Sequence, residues 1–214
     1  MTDRIGDFLF EVLGGLDKKP DPANLDRLRL ELNRLQGASS SAPKNEWEFI
    51  LESTAANTAA IDFTNLGAPY RFYVLAVRNL KPSTDSVSLL VQLSIDNGAN
   101  FLASAYRYHH QGDTDGITTY SAAASASASS ITVGTSLGNA ADESFAGEII
   151  LWNLQSAVNR KQVTSIGVGV TATGILAHYV STGMNDTTSV ANAVRVLFSS
   201  GNIASGTVAL YGIR

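Results

Sequence analysis

Residues 87–95 read Val87-Ser88-Leu89-Leu90-Val91-Gln92-Leu93-Ser94-Ile95, and Asp96-Asn97-Gly98 follows at once. From Val87 to Ile95 every second side chain is apolar, the period of a strand with one buried face. An Asn-Gly pair after such a run suits a tight turn whose residues take positive φ. The reading is therefore a hairpin, with Phe101 to Tyr108 as the returning strand.

The same period spreads in both directions. Upstream, Trp47 and Phe49 alternate with Glu46 and Glu48, Ile61 to Leu66 forms a second run, and Tyr70 to Val77 is almost continuously apolar or aromatic. That last run reads as a central strand covered on both faces. Downstream, strands are expected at Glu148–Leu154, Val163–Val170, Ile175–Val180, Ala193–Phe198 and Thr207–Ile213. Roughly ten short strands separated by turn residues predict a mainly β domain over residues 44–214, an antiparallel jelly-roll-like β-sandwich. Ser121 to Ser130 contains only Ser and Ala and is open between a surface loop and a plain edge strand.

Before Pro43 the period is helical. Ile5, Phe8, Leu9, Val12, Leu13 and Leu16 fall on one helical face, and Gly14-Gly15 closes it. Pro20-Asp21-Pro22 then breaks and restarts the chain, with Asp21 as N-cap and Pro22 in the first helical position. Leu25, Leu28, Leu32 and Leu35 come next as a coiled-coil seam of about two heptads. Residues 1–36 are thus expected to be a two-helix attachment or oligomerisation segment, and residues 37–43, Gly-Ala-Ser-Ser-Ser-Ala-Pro, a linker. Helices this short are marginal alone and need a partner surface. That partner is either the following domain or other protein chains, and the Ser-rich linker favours the second.

Composition narrows the function. The chain has 214 residues with Lys+Arg 15 and Asp+Glu 19, a net charge of -4. No basic face is available for a phosphate backbone, so nucleic acid is not an expected partner. Cysteine is absent, which removes disulfide scaffolds, thiolate metal sites and cysteine nucleophiles. The longest apolar run, Phe72 to Val77, is six residues, far short of a membrane span, and the first residues do not have the pattern of a secretory leader. Residues 1–36 hold 13 of the 34 charged side chains; the remaining 178 residues carry 21, about 12 per cent, roughly half the usual share. A surface of Ser, Thr, Asn, Ala and Gly suits a protein held in an assembly or displayed outside a cell.

The candidate chemistry is thin. Gly134-Thr135-Ser136-Leu137-Gly138 matches the G-x-S-x-G pattern, but no strand–helix context surrounds it, so it reads as a tight turn. His109-His110 with Asp113 and Asp115 is the one metal-capable cluster. Adjacent strand residues point to opposite faces, and the calcium-loop pattern lacks its later ligands, so a polar hairpin tip is expected. Gly167-Val168-Gly169 has the wrong spacing for a dinucleotide loop. No catalytic residue, metal or cofactor is expected. Tyr106 and Tyr108 read as core rings on one strand face or, together with His109, as contacts for a glycan, since rings with polar tips both stack on sugars and hydrogen-bond them.

The C-terminal stretch Phe198-Ser199-Ser200-Gly201-Asn202-Ile203-Ala204-Ser205-Gly206-Thr207-Val208-Ala209-Leu210-Tyr211-Gly212-Ile213-Arg214 resembles the ending of β-sandwich domains in structural proteins of tailed bacteriophages. Trp47-Glu48-Phe49-Ile50, Ile61-Asp62-Phe63-Thr64, Leu93-Ser94-Ile95-Asp96-Asn97-Gly98 and Tyr106-Arg107-Tyr108 are similar in kind and order. The resemblance covers residues 45–214 and not residues 1–36. It implies a non-enzymatic virion protein made in the host cytoplasm, a capsid decoration or fibre, without catalytic residues. The expected partners are its own copies, with a trimer favoured, and other phage structural proteins such as capsid or tail. The alternative is a carbohydrate-binding receptor-recognition module, a role that can coexist with the first in one fibre.

Overall fold

The computed structural model describes Leu30 and residues 47–67, 69–115 and 121–214. The chain divides between Lys44 and Asn45, and the second unit is described by itself. The helices expected over residues 1–36, with their seam leucines, lie outside the described residues.

Twelve strands occur in order: β1 (Trp47–Thr54), β2 (Ala60–Phe63), β3 (Phe72–Pro82), β4 (Val87–Ser94), β5 (Tyr106–Thr114), β6 (Ser121–Ala128), β7 (Ile131–Leu137), β8 (Phe145–Trp152), β9 (Lys161–Val170), β10 (Leu176–Asn185), β11 (Ala193–Phe198) and β12 (Ile203–Ile213). They form an eight-stranded sheet, β1-β12-β3-β8-β9-β10-β5-β6, and a four-stranded sheet, β2-β11-β4-β7. Every named strand pair is antiparallel. The chain passes from one sheet to the other at each step from β1 to β5. The hairpins β5–β6 and β9–β10 stay in the larger sheet and widen it beyond β8.

The two sheets share one apolar core, in which Tyr73, Leu75, Ile149 and Leu210 of the larger sheet meet Ile61, Leu89, Val91 and Val196 of the smaller. This is a β-sandwich built on the alternation seen in the sequence: Val87, Leu89, Val91 and Leu93 are all buried. β3 is central as expected but covered fully on one face only: on the outer face Phe72 and Ala76 are half-buried and Arg78 is exposed. Leu75 fills the core, and Val74, facing the other way between Tyr211 and Ile150, is also fully buried.

Three local expectations fail for identifiable reasons. Asn97 (φ 60) and Gly98 (φ 87) do turn the chain left-handedly, but no hairpin results. Both edges of β4 are already taken by β11 and β7, so the chain leaves for the other sheet, and residues 101–105 are not a strand. The turn is held instead by side chains: Ser94 and Asn100 hydrogen-bond Asp96, pulling its carboxyl down to about 2. Gly134–Leu137 belongs to β7 and is not a tight turn; only Ser136 (φ 54) takes the left-handed conformation. His109, His110 and Asp113 lie along β5, not at a hairpin tip. The Ser/Ala run resolves as the edge strand, β6.

Among the described residues, the members of the core cluster lie between Ala55 and Leu210. A chain beginning at Pro43 is therefore expected to fold, with a cooperative thermal transition and a β-type circular dichroism spectrum. A molten or insoluble product would show that residues 1–42 complete the core.

Candidate functional site

Period two places neighbouring residues of β5 on opposite sides of the larger sheet, and this sorts the residues singled out by sequence. Tyr106 points inward and is fully buried; its hydroxyl accepts the Leu93 N–H at 2.7 Å, and burial pushes its pKa up to about 12. The glycan-contact reading of Tyr106 is thus corrected: a ring with no accessible surface meets no sugar. Tyr108 also packs against the core, half-buried. His109 alone of the three stands exposed on the outer face.

His110 is buried between the sheets, where Nδ1 lies 2.7 Å from Ser181 Oγ and Nε2 3.3 Å from Thr135 Oγ1, with the ring stacked on Tyr179. The two adjacent histidines therefore cannot share an ion. Asp113 faces His178, with Oδ1 3.3 Å from Nδ1. Among the described residues no group of three or more His, Asp or Glu is placed to hold a metal. Ser136 of the G-x-S-x-G match is exposed, while its neighbour Thr135 meets His110. The histidine thus meets the motif's threonine and not its serine.

Burial lowers the pKa of His110 from 6.5, because the imidazolium would lose its hydration without gaining a carboxylate. In this situation the unfolded chain binds the proton first as the pH falls. The stability contributed by neutral His110 is complete above 6.5 and is lost below it, down to the folded pKa. Urea midpoints measured through that interval should fall for the wild type and stay flatter for His110→Gln. Parallel curves would remove His110 as the cause.

The outer face of the larger sheet holds a groove of about 660 Å³. Two cross-strand rows build it. One runs Trp152–Gln162–Met184–Arg107 over β8, β9, β10 and β5. The next runs Thr164–Thr182–His109–Ala124 over β9, β10, β5 and β6. Alternation along each strand keeps these side chains out while Val163 and Ser165 turn to the core. On the β6 side only Ala124, Ser125 and Ala126 line the groove. The low-complexity run thus has a physical use, since small side chains leave the depression open.

The polar groups are held in place. The Trp152 indole N–H donates to Thr164 Oγ1 at 3.1 Å, and its ring rests on Phe72 with centroids 4.5 Å apart. Arg107 donates to Asp186 Oδ2 through Nε and Nη2, at 3.1 and 3.0 Å. The other oxygen, Oδ1, is buried without a hydrogen bond and faces Arg160 Nη1 at 3.3 Å. A fixed half-buried indole amid a guanidinium, an imidazole, an amide and two threonine hydroxyls offers a sugar both a stacking face and hydrogen-bonding groups. Trp152 was visible in the sequence only as a strand residue. The signal lay in its parity: it alternates with Leu151 and so faces away from the core.

No protein-family model, curated protein or solved structure matches the chain.

Proposed function

We propose that the chain is a non-enzymatic structural protein of a tailed-bacteriophage virion, and that its sandwich recognises carbohydrate on the host surface as the receptor-binding module of a fibre. The groove around Trp152 carries this reading, because it gives an aromatic platform with polar neighbours where a passive decoration needs only a featureless surface. The virion setting rests on the resemblance over residues 45–214 and on the scarcity of charge after residue 36.

The topology supports a jelly roll. With the two inserted hairpins set aside, the sheets reduce to β1-β12-β3-β8 and β2-β11-β4-β7, four strands each, and the chain alternates between them at every step except β4 to β7, which pair within one sheet. Assembly is favoured by exposed apolar side chains on the same outer face: Ile166 and Val168 on β9 and Val180 on β10 are 54%, 47% and 37% exposed, and contiguous apolar surface of this kind marks contact sites. Residues 1–36 serve as the attachment and oligomerisation segment, with a trimer as the favoured state. Capsid or tail proteins are the other partners.

The test is a glycan array probed with the full chain and with Trp152→Ala. Loss of a central tryptophan contact costs about 2 kcal/mol or more, roughly thirtyfold in affinity. Binding that disappears in the variant while the melting temperature stays within a few degrees is the expected result. No binding to any glycan by the wild type would remove the receptor role and leave a passive decoration.

A further inference from the structure

We infer that the groove takes an acidic sugar, a ring bearing a carboxylate or sulfate, with Arg107 as the residue that meets the anion. The inference rests on the carbohydrate reading of the groove and names its ligand class.

Charge sorts unevenly around this groove. The chain carries a net -4, yet among the described residues the lining contains Arg107 and His109 and no acidic side chain. Glu148, on the same face, stands beside Ile166 and outside the lining. At the Arg107 end, one carboxylate, Asp186, serves two guanidinium groups, Arg107 and Arg160. A third cation lies close in sequence and register. Lys161, fully buried and paired across the strands with Asn185, donates to the backbone carbonyls of Ser156, Asn159 and Thr188. Lys161 has the core-facing parity and is spent there, so among the described residues two guanidinium groups against one carboxylate leave the Arg107 end of the groove positive in an otherwise acidic protein.

The hydrogen-bonding groups point the same way. A neutral sugar presents hydroxyls that donate as often as they accept, and a site for it normally offers a strong acceptor. Among the described residues this lining has no carboxylate, and the Trp152 N–H is already used by Thr164. Arg107 spends Nε and Nη2 on Asp186, so among the described residues Nη1 keeps its donors for a ligand. A guanidinium braced by one carboxylate is preorganised for a second oxyanion.

Isothermal titration of the full chain with lactose, sialyllactose and sulfated lactose, at low and high salt, tests the inference. An acidic sugar is expected to bind at least tenfold more tightly than lactose at low salt, with the advantage shrinking as salt screens it. The Arg107→Gln, Arg160→Gln double variant should lose that preference, and Arg160→Gln alone, at an exposed side chain, guards against a folding defect. Lactose binding as tightly as the acids, or a preference that survives the double variant, overturns the acidic-sugar inference alone. If none of these sugars binds and the glycan array is also blank, the carbohydrate reading falls with it.

Discussion

Lys161→Met is expected to lower the melting temperature by roughly 6–12 °C, because a domain of this size shifts by about 2–4 °C per kcal/mol and the change removes about 3 kcal/mol. Lys161 is the first residue of β9, and its side chain has no exposure. Its ammonium donates to Ser156 O at 2.5 Å, Asn159 O at 2.8 Å and Thr188 O at 3.4 Å, so it ties the β8–β9 loop to the β10–β11 loop. Methionine fills a similar volume but donates nothing. Each hydrogen bond from a charged donor contributes about 1.5–3 kcal/mol. Part of that is offset, because a buried charge no longer has to be desolvated.

That offset also has a pH signature. Burial lowers the Lys161 pKa below 10.5, so between its folded value and 10.5 the unfolded chain binds more protons. Wild-type stability should therefore rise with pH through that window, and the methionine variant should lack the rise. A melting temperature that stays level or increases in Lys161→Met would show that desolvation outweighs the three hydrogen bonds. Sugar binding measured on the same variant reports whether the loop that carries Arg160 moves with its tether.

How far the residues themselves announced this arrangement differs from element to element. β11 was legible to its ends, Ala193–Phe198, and β4 nearly so, because alternation reports burial of one face directly. The partner of a strand is not written in its own alternation. Asn97-Gly98 has the turn chemistry of a hairpin, yet the path of the chain after β4 is set by β11 and β7 having filled its edges. β7 was hidden because Gly134 and Ser136 are turn-type residues placed inside a strand. The groove was hidden because strand partners are not legible locally. Trp152, Gln162 and Arg107 come from β8, β9 and β5, and they meet only because β10 is seated between β9 and β5. The parity of Tyr106 against His109 was readable, but which parity faced water depended on the second sheet.

The glycine alternation of β9 leads to the second large effect. Ile166-Gly167-Val168-Gly169 places Ile166 and Val168 outward and both glycines inward. Gly167 lies opposite Gly147 on β8 and Tyr179 on β10, so the sheet is bare where the Phe145 and Tyr179 rings rest, with centroids 6.1 Å apart. A methyl carbon at Gly167 would meet the edge of the Phe145 ring, 2.8 Å from Cε2, and stand 2.9 Å from Ala146 O. Elsewhere in a strand, Gly→Ala gains about 0.4–1 kcal/mol by restricting the unfolded chain. Here overpacking of about 1–3 kcal/mol opposes that gain and exceeds it, since the ring the methyl would meet, Phe145, is fully buried. Gly167→Ala should therefore lower the melting temperature by several degrees, and Gly167→Val should lower it further. The cause is separable by a double-mutant cycle. With Phe145→Leu the ring edge is gone, and the added cost of Gly167→Ala should shrink by at least half. Costs that simply add would mean that the glycine is there for the close approach of β8 and β9 backbones, not to seat the ring.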